Sequence, residues 1–130
     1  MADKLIIDWK QYNLIVEKLA VQIYKSGFKP NMLIGIMRGG APIIDVLSRV
    51  FKLKCAYLAV ESYSGEGTED QQGELVFSRE MSSTVQEMKG NLLLCDDLSD
   101  TGVTLNKSIN WLREYPPLQG NIKDIKTAVL

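Results

Sequence analysis

The sequence contains no histidine among its 130 residues. This absence excludes Ser-His-Asp and Cys-His nucleophile systems, His-ligated zinc and every acid–base mechanism that depends on imidazole. Any catalysis must therefore rely on carboxylates, backbone amides, Lys and Arg side chains, and a bound ion.

Cysteine is scarce as well, since the chain has only Cys55 and Cys95, which lie far apart. Two such residues supply neither a zinc ligand set nor a disulfide framework. Both lie inside apolar runs, a position typical of small buried hydrophobic side chains.

The chain also lacks an excess of either charge, with 15 basic and 16 acidic residues and a net charge of −1. This balance argues against broad binding to nucleic acid, and we expect no nucleic-acid partner. No apolar run approaches the ~20 residues of a membrane span, and no signal-peptide pattern begins the chain. With 45% apolar residues, the sequence predicts one globular domain over residues 1–130, without an integral membrane segment and located in the cytoplasm.

Helical and strand patterns alternate along the chain. Apolar residues recur at helical spacing over residues 11–25, 41–51 and 101–113. Short, continuous apolar runs, which suit strands buried on both faces, cover residues 32–37, 55–60 and 91–95. This alternation predicts an α/β fold in which helices cover a parallel sheet.

Two further segments complete the predicted topology. A polar, glycine-bearing stretch follows residue 60, and Leu75-Val76-Phe77 indicates a return strand, so we expect an extended hairpin. The final strand is predicted to begin at Lys126 and to continue to Leu130. Because the chain stops inside a strand of central type, we expect that the C-terminal part of the protein is missing.

The most informative segment spans residues 92–105, where an apolar strand leads into Asp96 and Asp97, followed by a short loop and a helix. Ligands of open α/β sheets collect at the carboxyl ends of strands, and a helix start favours phosphate. Gly102 permits close approach of the backbone, and the hydroxyls of Thr101 and Thr104 add donors. The carboxylates would repel a phosphate, so we expect them to contact sugar hydroxyls or Mg²⁺.

Each candidate segment also has a simpler interpretation. Asp100 could serve only as the N-cap of the helix, with Asp96 and Asp97 merely solvated at a strand end. The Arg38-Gly39-Gly40 segment, which interrupts an apolar strand, could be a tight turn that needs a positive φ. Neither a P-loop nor a complete dinucleotide-binding glycine motif is present in the sequence.

Several segments resemble those of type I phosphoribosyltransferases. Residues 92–105 resemble the signature that binds phosphoribosyl pyrophosphate (PRPP): an apolar strand, two acids, then Asp-Thr-Gly-x-Thr. Residues 34–42 resemble the pyrophosphate loop of the family, and Ser62-Tyr63 resembles a pair found in purine-using members. The segment Ile7-Asp8-Trp9 and the overall spacing are most similar to the bacterial xanthine-guanine branch.

The resemblance implies a parallel-sheet type I phosphoribosyltransferase fold with flanking helices and a hairpin hood over about residues 61–80. It implies Mg²⁺-dependent transfer of the phosphoribosyl group of PRPP to guanine, xanthine or hypoxanthine, with release of pyrophosphate, in nucleotide salvage. A homodimer or homotetramer is expected by the same analogy. The resemblance places the segment that reads the base beyond Leu130.

The roles of the family's residues carry over by position. The resemblance implies that Asp96 and Asp97 hold the ribose hydroxyls and Mg²⁺, and that Asp100 is catalytic, assisting proton transfer at the purine ring. It also implies that the 5-phosphate is bound by Thr101, Gly102, Val103 and Thr104. The pyrophosphate is assigned to Arg38 and Gly39. Relatives often carry a basic hood residue where this chain has Gln71-Gln72-Gly73-Glu74, and Arg79 is the candidate to replace it.

Two other function classes remain open. A non-catalytic regulator on the same fold would bind PRPP or a nucleotide, but such proteins usually add a DNA-binding module, and the sequence contains no basic helix of that kind. The remaining alternative is an unrelated α/β domain in which the motif is incidental.

Overall fold

A computed structural model describes residues 6–63, 74–97 and 102–130. Its elements, in chain order, are α1 (Trp9–Ser26), β1 (Met32–Met37), α2 (Ala41–Phe51), β2 (Cys55–Tyr63), β3 (Glu74–Phe77), β4 (Ser82–Ser83), β5 (Gly90–Asp96), α3 (Val103–Glu114), a 3₁₀ turn (Pro116–Leu118) and β6 (Ile122–Val129).

The strands form one sheet in the order β3-β2-β1-β5-β6, and β4 pairs with β2. Strands β2, β1, β5 and β6 are parallel, whereas β3 and β4 run antiparallel to β2. The predicted α/β fold with a parallel sheet is therefore confirmed. From β1 the chain crosses to β2 on one side, and from β5 it crosses to β6 on the other, so the winding direction reverses between β1 and β5.

Side chains of alternate strand residues build a separate core on each face of the sheet. On one face Leu33 and Leu93 pack with the buried sides of α1 and α2. On the other face Ile34 and Leu94 pack with α3 and the 3₁₀ turn. The central strands are thus covered on both faces, which explains why their sequences are continuously apolar.

Helix α1 begins and ends at signals that the sequence carries. The Asp8 carboxylate accepts a hydrogen bond from the Gln11 N–H (2.8 Å), and the Asp8 N–H donates to the Gln11 side chain (3.1 Å). This capping box starts the helix two residues before the predicted Gln11. At the other end Gly27 adopts the left-handed conformation that a glycine cap favours, with φ 79°.

Two predicted strands differ in length from the observed ones. Strand β6 begins at Ile122 rather than Lys126, because Asp124 and Ile125 pair with the neighbouring strand β5 although Lys123 and Asp124 are polar. Strand β2 continues past Val60 to Tyr63, because the antiparallel strand β3 supplies its partners. Strand pairing overrode side-chain polarity at both positions.

The hairpin formed by β2 and β3 confirms the predicted return strand, while residues 64–73 at its tip lie outside the described residues. Cys95 is buried as predicted, whereas Cys55 is only half-buried. None of the helices in the described ranges combines the length and the apolar character needed to cross a membrane.

Candidate functional site

The carboxyl ends of β1 and β5 lie side by side, with Gly35 paired in register with Cys95. This is the point at which the winding of the sheet reverses, and open α/β sheets bind their ligands in the crevice at such a point. The predicted segment Arg38-Gly39 follows β1 directly, and Asp96-Asp97 lies at the end of β5, whose last residue is Asp96. The sheet topology therefore brings together residues that are distant in the sequence.

The turn after β1 is closed by backbone hydrogen bonds. The Gly40 N–H donates to the Ile36 carbonyl (2.7 Å), and the Ala41 N–H donates to the Arg38 carbonyl (3.2 Å). The Met37–Arg38 peptide bond is cis. The Arg38 side chain is exposed at the mouth of this turn, as contact with an anionic ligand requires.

The proposed reason for the glycines in this turn was wrong. Neither Gly39 nor Gly40 has a positive φ, and the φ of Gly40 is −77°. Instead, both glycines make room for neighbouring atoms. A Cβ atom at residue 40 would overlap the Cys95 carbonyl oxygen and lie 2.8 Å from the backbone N and O of Ile36. A Cβ atom at Gly39 would overlap the carboxylate of Asp97.

The two carboxylates after β5 have different surroundings. The Asp96 side chain is buried, with 9% exposure, whereas Asp97 is exposed. The Asp97 N–H donates a hydrogen bond to Asp96 Oδ1 (2.8 Å). The pKa of the Asp96 carboxyl is raised to about 6, chiefly by burial and also by the neighbouring Asp97 carboxylate, against the opposing effect of that N–H.

These two acids fit a bound Mg²⁺. A partly desolvated carboxylate beside a second carboxylate is an arrangement that a divalent cation stabilises. Within the described ranges, the structure has no cluster of three or more acidic, His or Cys residues that could hold a metal. Mg²⁺ is usually bound by one or two carboxylates together with substrate phosphates and water.

Helix α3, which follows the acids, has Gly102 as its N-cap in the left-handed conformation, with φ 75°. The interpretation of Asp100 as the N-cap is therefore wrong, because Gly102 holds that position. The Asn106 N–H bonds to the Gly102 carbonyl (2.9 Å), so the helical ladder begins there. Gly102, Val103 and Thr104 thus form the half-exposed start of a helix, where a phosphate is favoured.

Three predicted site residues are not placed against these groups. Asp100 and Thr101 lie outside the described residues. Arg79 is exposed two residues after β3, and no contact in the described ranges links it to Arg38, Gly39 or the two acids. Its proposed role in the hood stays a prediction.

One residue near the site, Tyr12 on α1, was missed by the sequence analysis. Its phenol is half-buried, and burial together with the Asp97 carboxylate raises the pKa of Tyr12 above its usual value. Nearby Trp9 is 74% exposed and meets Tyr12 edge-on with ring centroids 5.5 Å apart. No motif marks Tyr12, because its proximity to Asp97 depends on how α1 lies on the sheet.

Comparisons with known proteins agree with this geometry. A family model described as a phosphoribosyl transferase domain matches residues 5–130. A solved purine phosphoribosyltransferase from Pyrococcus horikoshii aligns with 99% of the chain and 78% of its own length, at 25% identity and a TM-score of 0.75. A xanthine-guanine-hypoxanthine phosphoribosyltransferase from Helicobacter pylori aligns with 95% of the chain and 74% of its own length, at 21% identity and a TM-score of 0.73.

A third structure, a hypothetical protein from Neisseria gonorrhoeae with bound ppGpp, shares 20% identity and a TM-score of 0.74. It aligns with 100% of the chain and 72% of its own length. A sequence search of curated proteins returned no match.

Proposed function

Because the chain belongs to the phosphoribosyl transferase domain family, we propose that this pentosyltransferase transfers the phosphoribosyl group of PRPP to guanine, xanthine or hypoxanthine and releases pyrophosphate. The observation that carries the proposal is the contact between the Gly39 backbone and the Asp97 carboxylate at the reversal point of the sheet. The proposal includes Mg²⁺ dependence, a cytoplasmic role in nucleotide salvage, and assembly as a homodimer or homotetramer.

The site offers complementary groups to the three parts of PRPP. The start of α3 at Gly102–Thr104, together with Thr101, would bind the 5-phosphate through backbone amides and hydroxyls. The Asp96 and Asp97 carboxylates would accept hydrogen bonds from the ribose hydroxyls. The exposed Arg38 side chain and the Gly39 backbone would contact the pyrophosphate next to the acids. In this arrangement of PRPP the carboxylates contact the ribose and do not face the 5-phosphate.

Asp96 and Asp97 are the residues that would hold Mg²⁺ together with PRPP oxygens. When bound, Mg²⁺ would neutralise the negative charge that develops on the departing pyrophosphate. The Arg38 guanidinium would stabilise that same charge from the carboxyl end of the adjacent strand β1. The carboxylates face the sugar, so they would also stabilise the positive charge that grows on the ribose as its bond to pyrophosphate breaks.

Bond formation places a positive charge on the purine, which must lose a proton from nitrogen. We assign acceptance of that proton to Asp100, on the resemblance alone. Because the chain has no histidine, a carboxylate is the natural base for this step.

The test measures pyrophosphate release from PRPP and Mg²⁺ in the presence of guanine, xanthine or hypoxanthine. We expect release that depends on the base, a higher KM for PRPP in Asp97→Ala and a lower kcat in Asp100→Ala. Asp45→Ala is the matched control, because Asp45 is an exposed acid of α2 that forms an ion pair with Arg49. Wild-type kinetics in both site variants would refute the assigned roles.

The same experiment separates the alternative functions. Binding of PRPP without turnover would favour the non-catalytic regulator. Absence of PRPP binding would favour a domain in which the motif is incidental.

A further inference from the structure

Helix α1 runs antiparallel to the parallel strands. Its last turn leads through Phe28 to β1, which starts at Met32 at the amino end of the sheet. There the Lys126 Nζ atom lies 5.5 Å from the centre of the Phe28 ring. The C-terminal half of α1 also lines a groove with residues 126–129 of β6. The N-terminal turns of α1 therefore lie towards the carboxyl end of the sheet, where the candidate site is.

The helix is long enough to bring Tyr12 level with the site. Tyr12 lies 14 residues before Ser26, which corresponds to about 21 Å at ~1.5 Å per residue. The six residues of β1 cover about 20 Å at ~3.3 Å per residue. Tyr12 thus stands beside the strand ends, and the Asp97 carboxylate acts on its phenol electrostatically.

The surroundings of Tyr12 leave its hydroxyl free to serve a ligand. Its ring packs at the margin of the core formed by α1, α2 and β5, which fixes its direction. In the ranges that the structure describes, its hydroxyl makes no hydrogen bond to Asp97 or to any other residue. A tyrosine phenol is protonated at neutral pH and can therefore donate a hydrogen bond.

We propose that Tyr12 is a further substrate-contacting residue of this site, whose phenolic hydroxyl donates a hydrogen bond to the phosphate-bearing ligand held beside Asp97 and Gly39. This inference rests on the proposed function, since PRPP and pyrophosphate are the ligands that would carry such phosphates. Tyr12 would act from the α1 side of the acids, whereas Arg38 acts from the turn after β1.

The test replaces Tyr12 with Phe, which keeps the ring and removes only the hydroxyl. We expect the KM for PRPP and the Kd for Mg²⁺-pyrophosphate to rise by about tenfold, the size of one lost hydrogen bond to a charged group. We expect kcat to stay within about twofold and Tm to stay unchanged, because the ring packing is retained. Tyr24→Phe is the matched control, because Tyr24 lies on the same helix and is 80% exposed.

The possible outcomes separate a failure of this inference from a failure of the proposed function. If wild-type protein binds PRPP and Tyr12→Phe binds it equally well, Tyr12 is a packing residue and this inference alone is overturned. The same holds if Tyr12→Phe lowers Tm and leaves the two binding constants unchanged. If wild-type protein binds neither PRPP nor pyrophosphate, the proposed function fails, and this inference fails with it.

Discussion

The backbone of Gly39 lies so close to the carboxylate of Asp97 that a Cβ atom at residue 39 would overlap the carboxyl group. The two residues follow the ends of adjacent parallel strands, β1 and β5. Their contact therefore joins the turn after β1 to the acidic pair, and it is possible because residue 39 has no side chain.

Gly39→Ala should displace Asp97 without unfolding the protein. Asp97 is exposed, so its side chain can rotate away from the added methyl group. We expect the KM for PRPP to rise by at least about tenfold, equivalent to about 1.4 kcal/mol of lost binding. Steady-state kinetics and thermal denaturation of the same preparations measure the two effects separately.

The control for this substitution is Gly27→Ala. Gly27 has a φ of 79° and no atom near its potential Cβ, so alanine there introduces backbone strain far from the site. We expect it to cost about 1 kcal/mol of stability and to leave the KM unchanged. An unchanged KM in Gly39→Ala would contradict the coupling between Gly39 and Asp97.

Gly40→Ala should instead destabilise the whole fold. The added methyl group would meet backbone atoms of Cys95 and Ile36, which cannot rotate away. We expect a loss of more than about 3 kcal/mol in the free energy of unfolding, at the upper end of overpacking effects. Urea denaturation measures it, with Gly120→Ala as control, because Gly120 has φ 80° in open space. Equal losses in the two variants would contradict this interpretation.

Asp96→Asn should stabilise the protein at alkaline pH in the presence of a chelator. The pKa of Asp96 in the folded state is about 6, above the ~3.9 of an unfolded chain. Its contribution to stability is therefore present below about pH 4 and is lost as the pH rises through about 6. Asparagine keeps an acceptor for the Asp97 N–H without a charge, so we expect a higher Tm than wild type at pH 8.

The Tm difference between Asp96→Asn and wild type should disappear near pH 4. Differential scanning fluorimetry across this pH range tests the prediction. A difference that does not vary with pH would show that the buried charge is not its cause. We also expect weaker PRPP binding in this variant, because it lacks the carboxylate to which we assign the ribose hydroxyls and Mg²⁺.

The two thiols should differ in reactivity. Cys95 is buried between strands, and burial raises the pKa of its thiol to about 12, whereas Cys55 is half-buried. Because the thiolate is the reactive form, we expect a thiol reagent at pH 8 to modify Cys55 in the native protein and Cys95 only in denaturant. Cys55→Ser should remove the native reaction. Rapid native labelling of Cys55→Ser would mean that Cys95 is accessible.

Local signals explain which parts of the fold were predictable. The C-terminal end of α1 was predictable from Gly27, whereas the Asp8–Gln11 capping box starts the helix at Trp9 instead of the predicted Gln11; both signals act over only a few residues. The start of β6 at Ile122 did not, because polar Lys123 and Asp124 join the strand through pairing with β5. Backbone hydrogen bonds between segments that are distant in the chain cannot be recognised from the local pattern of apolar and polar residues.

In the candidate site, too, some properties follow from the sequence and others only from the tertiary structure. The sequence alone determined the chemistry available: no imidazole, two adjacent acids after an apolar strand, and a helix start rich in hydroxyls and glycine. Only the tertiary structure decided that Gly39 touches Asp97, that Asp96 is buried while Asp97 is exposed, and that Tyr12 stands beside them. The reason is physical, because composition and spacing set which groups can ionise or donate, whereas burial and proximity arise from how strands pair and helices pack.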